Sequence, residues 1–237
     1  MYYTGKRARD YDSKRNNDPK RKFELETVKK LLDKIEIKSA IDAPVGTGAF
    51  LSLLPEKTTG YDISLDMLDI ARKTSKAKLV ILDILDIDFP TMADLVLSIR
   101  FLNLLDNARF LVALDRLLHG ARKYAIFTLR TAKSEIKLGR VTVHKEQDAL
   151  DAIAAAGFEI IETHKYMQDK SPGDYKIYLC KRSKTRRKRD NHITDDNSEP
   201  DTTDRAVYPE PVEPEPASPP VASVKASPHR PRPCNCS

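Results

Sequence analysis

Two aspartates and two glycines within one stretch set the chemical question. Residues 40–64 read AIDAPVGTGAFLSLLPEKTTGYDIS: an apolar run ends at Asp42, Gly46 and Gly48 follow in a turn, and a second run ends at Asp62. Glycines in such a loop let the backbone bend tightly and approach a ligand without a Cβ in the way. Asp62, closing the second run, has two acceptor oxygens for a pair of ribose hydroxyls. A nucleoside-type ligand is therefore expected, and neighbouring residues narrow it. A phosphate-cradling loop needs Lys and then Ser or Thr after its last glycine, but Ala49 and Phe50 follow Gly48. A dinucleotide fingerprint needs Gly or Ala three residues after its second glycine, and Leu51 stands there. A ligand without pyrophosphate, carrying a ribose and a charged amino-acid part, fits better.

Such residues need strands that end together on one edge. SAIDA, TTGYDI, AKLVILD, ADLVLSI and KYAIFTLRT read as buried strands, rich in Val, Ile and Leu. Between them lie helical patterns. Phe23, Thr27, Leu31 and Ile35 recur four apart beside Val28 and Leu32; GAFLSLL reads as a helix start, and SLDMLDIARKT as a helix capped by Ser64. DNARFLVALDRLLHGA should end at a C-cap on Gly120, and KEQDALDAIAAAG at Gly157. His119 falls in a last helical turn and His144 borders the following helix, so neither reads as a base. FEIIETHKYM and DYKIYLCKR, joined by a short polar loop, read as an antiparallel hairpin. The expected fold is α/β: a doubly wound, mostly parallel seven-stranded sheet with an antiparallel terminal hairpin, followed by a disordered C-terminal tail.

The successive stretches AIDAPVGTGAFLSLL, GYDIS with DMLDIARK, VILDILDIDFP, ADLVLSIRFLNLL and AAAGFEII resemble, in order and spacing, the motifs of class I S-adenosylmethionine-dependent methyltransferases, notably the small-molecule and quinone-biosynthesis types. The resemblance runs from about residue 40 to 182 and implies S-adenosylmethionine as cofactor. It implies that Asp42, Ala43, Gly46 and Gly48 border the methionine part, that Asp62 holds the ribose, and that Ile63 and Met67 flank adenine. Asp83 would accept from the adenine amino group with Ile84 alongside, and Ser98 would face the methionine end and the acceptor. Tyr11 and Arg15, in YDSKR, resemble a lid that closes on the methionine carboxylate in some relatives; solvated disorder is the competing reading of residues 1–19. Pro44 stands where many relatives have a third glycine, and it stiffens the turn.

Arg100 and Asn103 follow the fourth strand, where an acceptor pocket opens in this fold, and are candidate substrate residues; Arg100 could equally be a structural ion pair. The basic stretch Thr131 to Val143 lies where the family often inserts structure over the substrate, and hints at a compact or anionic acceptor. No catalytic side chain is assigned, because an activated methyl donor needs its partners held in line more than it needs a base. Two further readings stay open: ribose or base methylation of RNA, and a non-catalytic module that binds the cofactor or scaffolds partners. Amino-directed base methylation is disfavoured because SIRF replaces the expected Asn or Asp, two prolines and an aromatic; pyrimidine-carbon methylation is disfavoured because Cys180 lies in the last strand.

Composition sets the rest. Ten of the fifteen prolines lie after residue 182 and all eight glycines before it, so the domain is drawn over 20–182 and the tail over 183–237, too poor in large apolar residues to fold. After Arg182 nine basic residues meet nine acidic ones, which leaves the net charge of +6 on the folded part. The cluster Lys184 to Arg189 reads as a solubilising linker, a nucleic-acid or membrane contact, or a nuclear address, and the Pro-rich tail as a site for a protein partner. Cys234 and Cys236 alone make no metal site, so no metal is expected. The polar opening is no signal sequence and no apolar run spans a bilayer; the expected localisation is cytoplasmic, or nuclear in a eukaryote.

Overall fold

The computed structural model describes residues 4–15, 17–86, 88–168 and 170–183. The chain divides into two units, Met1–Lys188 and Arg189–Ser237, and every described residue belongs to the first. The Lys184 to Arg189 cluster, the Pro-rich tail and the two terminal cysteines lie outside the described residues.

Strand β4 (Ala93–Ser98) shows why the sheet is double-sided, since all six of its residues are buried. Leu95 and Leu97 pack on one face against Val28 and Leu31 of helix α3 (Pro19–Leu32). Val96 packs on the other against Leu114, Leu117 and Phe110 of α5 (Asn107–Gly120). This is the period-two alternation of a strand with both faces covered. Beside β4 lie β1 (Ala40–Asp42), β2 (Thr58–Asp62) and β3 (Lys78–Ile81) on one side and β5 (Ala121–Ala132) on the other. All pair in parallel, in the order β3-β2-β1-β4-β5.

The far edge of β5 takes β9 (Asp174–Arg182) antiparallel over eight residue pairs, and β9 pairs antiparallel with β8 (Phe158–Lys165). These seven strands are the sheet expected from the sequence. Two more were not foreseen: β6 (Ile136–Leu138) and β7 (Val141–Lys145) form a hairpin inside the stretch read as an insertion. Thr131 and Ala132, at the end of β5, pair in parallel with His144 and Lys145 of β7.

Local signals place most helices. Asp18 caps α3 through Lys20 N–H, with Pro19 in its first turn; Asp106 caps α5 through Arg109 N–H; Ser64 caps α4 (Leu65–Thr74) through Met67 N–H. Helix α6 (Glu146–Ala155) precedes β8, and two short helices, α1 (Lys6–Arg9) and α2 (Tyr11–Arg15), open the described chain. The GAFLSLL stretch departs from expectation. It makes only a 3-10 turn, Leu51–Leu53, because Pro55 follows and disfavours helical backbone at Leu54, which is extended. Among the described residues no helix is long and apolar enough to cross a membrane.

Candidate functional site

The parallel strands β1 and β4 end side by side at Asp42 and Ser98, and the loop after β1 turns over their edge. Gly48 has φ 82°, and a Cβ there would sit 3.0 Å from Leu51 and 3.2 Å from Ala71, so its place is set by packing on α4. Gly46, φ 54°, would have nothing within 4 Å of such a Cβ, which leaves open space over the turn. Thr47 between them donates to Asp12 Oδ1 at 2.9 Å, tying the loop to α2.

Asp42 is buried at the end of β1 and its Oδ2 has no hydrogen-bond partner. Burial, reinforced by the charge of Asp62, pushes its carboxyl well above the usual carboxylate range. Asp62 is raised too, mainly by burial, although N–H groups of Ser64, Gly46 and Ile63 oppose that. Its Oδ2 accepts from Gly46 N–H at 2.9 Å and its Oδ1 from Ser64 N–H at 2.8 Å. Asp62 thus fixes the glycine turn and the entry to α4, a structural duty its place in the sequence does not announce.

Tyr11, Arg15, Asp42, Gly46 and Arg100, drawn from distant parts of the sequence, line one cleft that opens to solvent. Glu24, Arg21, Thr47 and Phe50 line it as well and were not picked out from the sequence. Glu24 had a signal: it sits three and four residues before Thr27 and Val28 and seven before Leu31, on the apolar face of α3, where a carboxylate has no structural reason to be.

Glu24 is fully buried; its Oε1 accepts from Arg100 Nε and from the Tyr175 hydroxyl. Arg100 Nη2 donates to Asp18 Oδ2 at 3.0 Å. The backbone of Arg100 has φ 60°, a conformation a side-chain-bearing residue rarely adopts, and its N–H donates to Thr128 Oγ1 at 2.6 Å. That turn aims the guanidinium across the cleft mouth. Burial opposes the charge on Arg100, but Glu24 first, then Tyr175 and Asp18, more than compensate and raise its pKa. Burial works the other way on Asp18, yet the Lys20 N–H and the charge of Arg100 hold it below the usual range. Burial and Glu24 together raise Tyr175, keeping its hydroxyl a donor.

Arg15 completes the wall. Its Nη1 donates to the Tyr11 hydroxyl at 2.8 Å, its Nη2 lies 3.7 Å from Glu24 Oε2, and its buried Nε has no partner. Buried polar atoms are ordinarily hydrogen-bonded, so Asp42 Oδ2, Glu24 Oε2 and Arg15 Nε, on residues of one cleft, leave bonding capacity for water or a ligand.

The other expected residues are spread along the strand ends. Ser98 is buried at the end of β4 with its Oγ unpartnered, next to Ile99 of the cleft wall. Ala43 is buried against the core, Met67 is buried on α4, and Ile63 is half-buried beyond β2. Asp83 follows β3 and accepts Leu85 N–H at 2.9 Å in a local turn. Ile84 follows Asp83; its side chain packs in the core and its carbonyl accepts Arg116 Nη1 at 2.9 Å.

Asn103 is tied into the sheet and is not among the residues that line the cleft. Its amide donates to Arg130 O at 3.1 Å and Thr142 O at 2.7 Å, and its Oδ1 accepts Arg130 N–H at 2.8 Å. Those bonds join β5 to the β6–β7 hairpin and occupy both amide N–H donors. Asn103→Ala should therefore cost about 2–4 kcal/mol of stability, because it strands buried backbone groups. Denaturant unfolding would show the loss, and cleft ligands should bind as before. His144 is also structural: fully buried on β7, stacked on Phe110 at 3.9 Å, with Nε2 against Leu102 O at 3.1 Å. Burial lowers its pKa and keeps the imidazole neutral.

Residues 41–122 match the family model described as a methyltransferase domain. A comparison with curated proteins gives no match. Among solved structures, the chain resembles a S-adenosylmethionine-dependent methyltransferase of Leishmania major at 13% identity and TM-score 0.60, over 73% of this chain and 77% of the other. It resembles the S-adenosylmethionine-bound magnesium protoporphyrin IX methyltransferase of Synechocystis PCC 6803 at 17% identity and TM-score 0.56, over 67% and 78%. The third is DesVI of Streptomyces venezuelae, at 16% identity and TM-score 0.56, over 74% and 99%. At these identities the likeness establishes the fold.

Proposed function

We propose that the chain, which carries a methyltransferase domain in a class I fold, is an S-adenosylmethionine-dependent methyltransferase acting on a small-molecule acceptor. The observation that carries this reading is a pair of opposite groups without hydrogen-bond partners beside the open glycine turn: Asp42 Oδ2 and Arg15 Nε, on two residues that line one cleft. An amino-acid end, with one ammonium and one carboxylate, matches that pair. Asp42 would take the ammonium, Arg15 with Tyr11 the carboxylate, and Asp62 the ribose hydroxyls on its remaining lone pairs. Ile63 and Met67 would flank the adenine, and Asp83 would accept from its amino group. The bound cofactor supplies a methyl group already activated on a sulfonium. The chain's own contribution is to hold that group and the acceptor in line and to exclude water, which alone can supply a large part of the rate.

Two features favour a small acceptor over a nucleic-acid base. SIRF follows the fourth strand in place of the residues that grip a flipped amino base. Cys180 is fully buried in β9, and burial pushes its thiol up to about 12, so it is no nucleophile for a pyrimidine ring. Titration of the full chain with S-adenosylhomocysteine should show one site per chain. No heat of binding and no thermal stabilisation at saturating ligand would overturn the cofactor assignment.

A further inference from the structure

The arginines of the cleft wall are already matched by carboxylates. Arg21 pairs with Asp12 at 2.8 Å, Arg100 with Asp18 at 3.0 Å and with Glu24, and Arg15 lies near Glu24 and Asp18 at 3.7 and 3.9 Å. If Asp42 and Arg15 Nε serve the amino-acid end of the cofactor, one group without a hydrogen-bond donor remains in the lining, Glu24 Oε2, with Arg15 Nη2 3.7 Å from it. It belongs to a side chain only 1% exposed, and it is held still: Arg100 Nε and the Tyr175 hydroxyl both fix the other oxygen. A buried carboxylate oxygen without a donor is costly, and a charge-assisted N–H bond relieves that cost best.

An anionic acceptor, as the basic hairpin stretch suggested, meets the wrong charge here. It would face Glu24 directly, and it could reach Arg100 only by displacing Asp18 and Glu24 from the guanidinium. A donor of N–H meets a charge that attracts it. We propose that Glu24 is the specificity-determining residue of the cleft and that the methyl acceptor is an amine, whose N–H donates to Glu24 Oε2. The proposal rests on the cofactor reading above, which leaves Glu24 as the group not used by the cofactor.

The test uses the full chain, methyl-labelled S-adenosylmethionine and a small-molecule cell extract split in two, one half acetylated to cap its amines. Label should enter base-stable products in the untreated half and fall at least about tenfold in the acetylated half, as expected for loss of a charge-assisted contact and of the nucleophile itself. Label released by mild base, as from a methyl ester, or label indifferent to acetylation overturns the proposal. Glu24→Gln, nearly isosteric, should keep S-adenosylhomocysteine affinity within about threefold while raising the KM for the labelled amine at least about tenfold. An unchanged KM overturns it. Should that variant fail to fold, Glu24→Asp keeps the charge one methylene back and should show the same KM effect, smaller. The two readings fail separately. Absence of S-adenosylhomocysteine binding to the wild type removes the cofactor reading; binding with no amine-borne label removes the amine assignment alone.

Discussion

Asp42→Asn should yield a protein that is more stable than the wild type without ligand and binds S-adenosylmethionine far more weakly. The carboxyl at the end of β1 is buried, one of its oxygens has no partner, and its pKa is raised by burial first and by Asp62 second. A group whose folded pKa lies above its unfolded one favours folding while protonated. That contribution is complete below the ordinary carboxylate range and is lost as pH climbs through the raised value. An amide cannot ionise, so the variant escapes the loss, and its advantage should grow with pH to about 1–3 kcal/mol, the usual penalty of a buried unsatisfied group. Thermal melts across pH 4–9 would show the two curves diverging upward in pH; parallel curves would contradict the raised pKa.

Binding should run the other way. An ammonium against Asp42 favours the ionised carboxylate, so affinity for S-adenosylhomocysteine should rise with pH over the same window, with a proton released on binding. Calorimetry in two buffers of different ionisation enthalpy measures that proton. In Asp42→Asn the release should vanish and affinity should fall by about a hundredfold, as when a buried charge-assisted contact is lost. Wild-type affinity in the variant would mean that Asp42 does not face the ligand.

Asp62→Ala should fail twice over. Removing this carboxylate strands the N–H groups of Gly46 and Ser64, which it accepts at 2.9 and 2.8 Å, and each loss costs about 1–2 kcal/mol. The midpoint of unfolding should fall by roughly 5–15 °C for a domain of this size. Cofactor binding should become undetectable, because the same change frees the glycine turn and removes the ribose acceptor. Asp62→Asn separates the two causes. It retains one carbonyl acceptor, so it should recover part of the melting temperature while binding stays weak. Full affinity in a loosened Asp62→Ala protein would refute the ribose role.

The strands, the glycine turn, the Ser64 cap and the order β-α-β were readable from the chain because each depends on residues within a few positions of one another. Side-chain period, turn stereochemistry and capping act over one turn of helix or one strand pleat. Even the failed helix after Gly48 was local in cause, since Pro55 was in view. Gly120 was not: it was read as a helix C-cap, but a Cβ there would meet Phe89 at 2.6 Å, and that contact exists only once the sheet face is covered.

The polar wall of the cleft needed the fold outright. Glu24 and Arg100 are 76 residues apart and Glu24 and Tyr175 are 151 apart, and no periodicity links them. Likewise Asn103 looked like a substrate residue by its place after β4, and became a sheet-joining one because Arg130 and Thr142 arrive beside it. The sequence alone specified the layered α/β scaffold and where along it a cofactor-shaped turn lies. Which charges stand around that turn, and which one is left over, was decided by tertiary packing: an ion pair between distant residues forms only after the strands that carry them have bought their proximity through burial of the core.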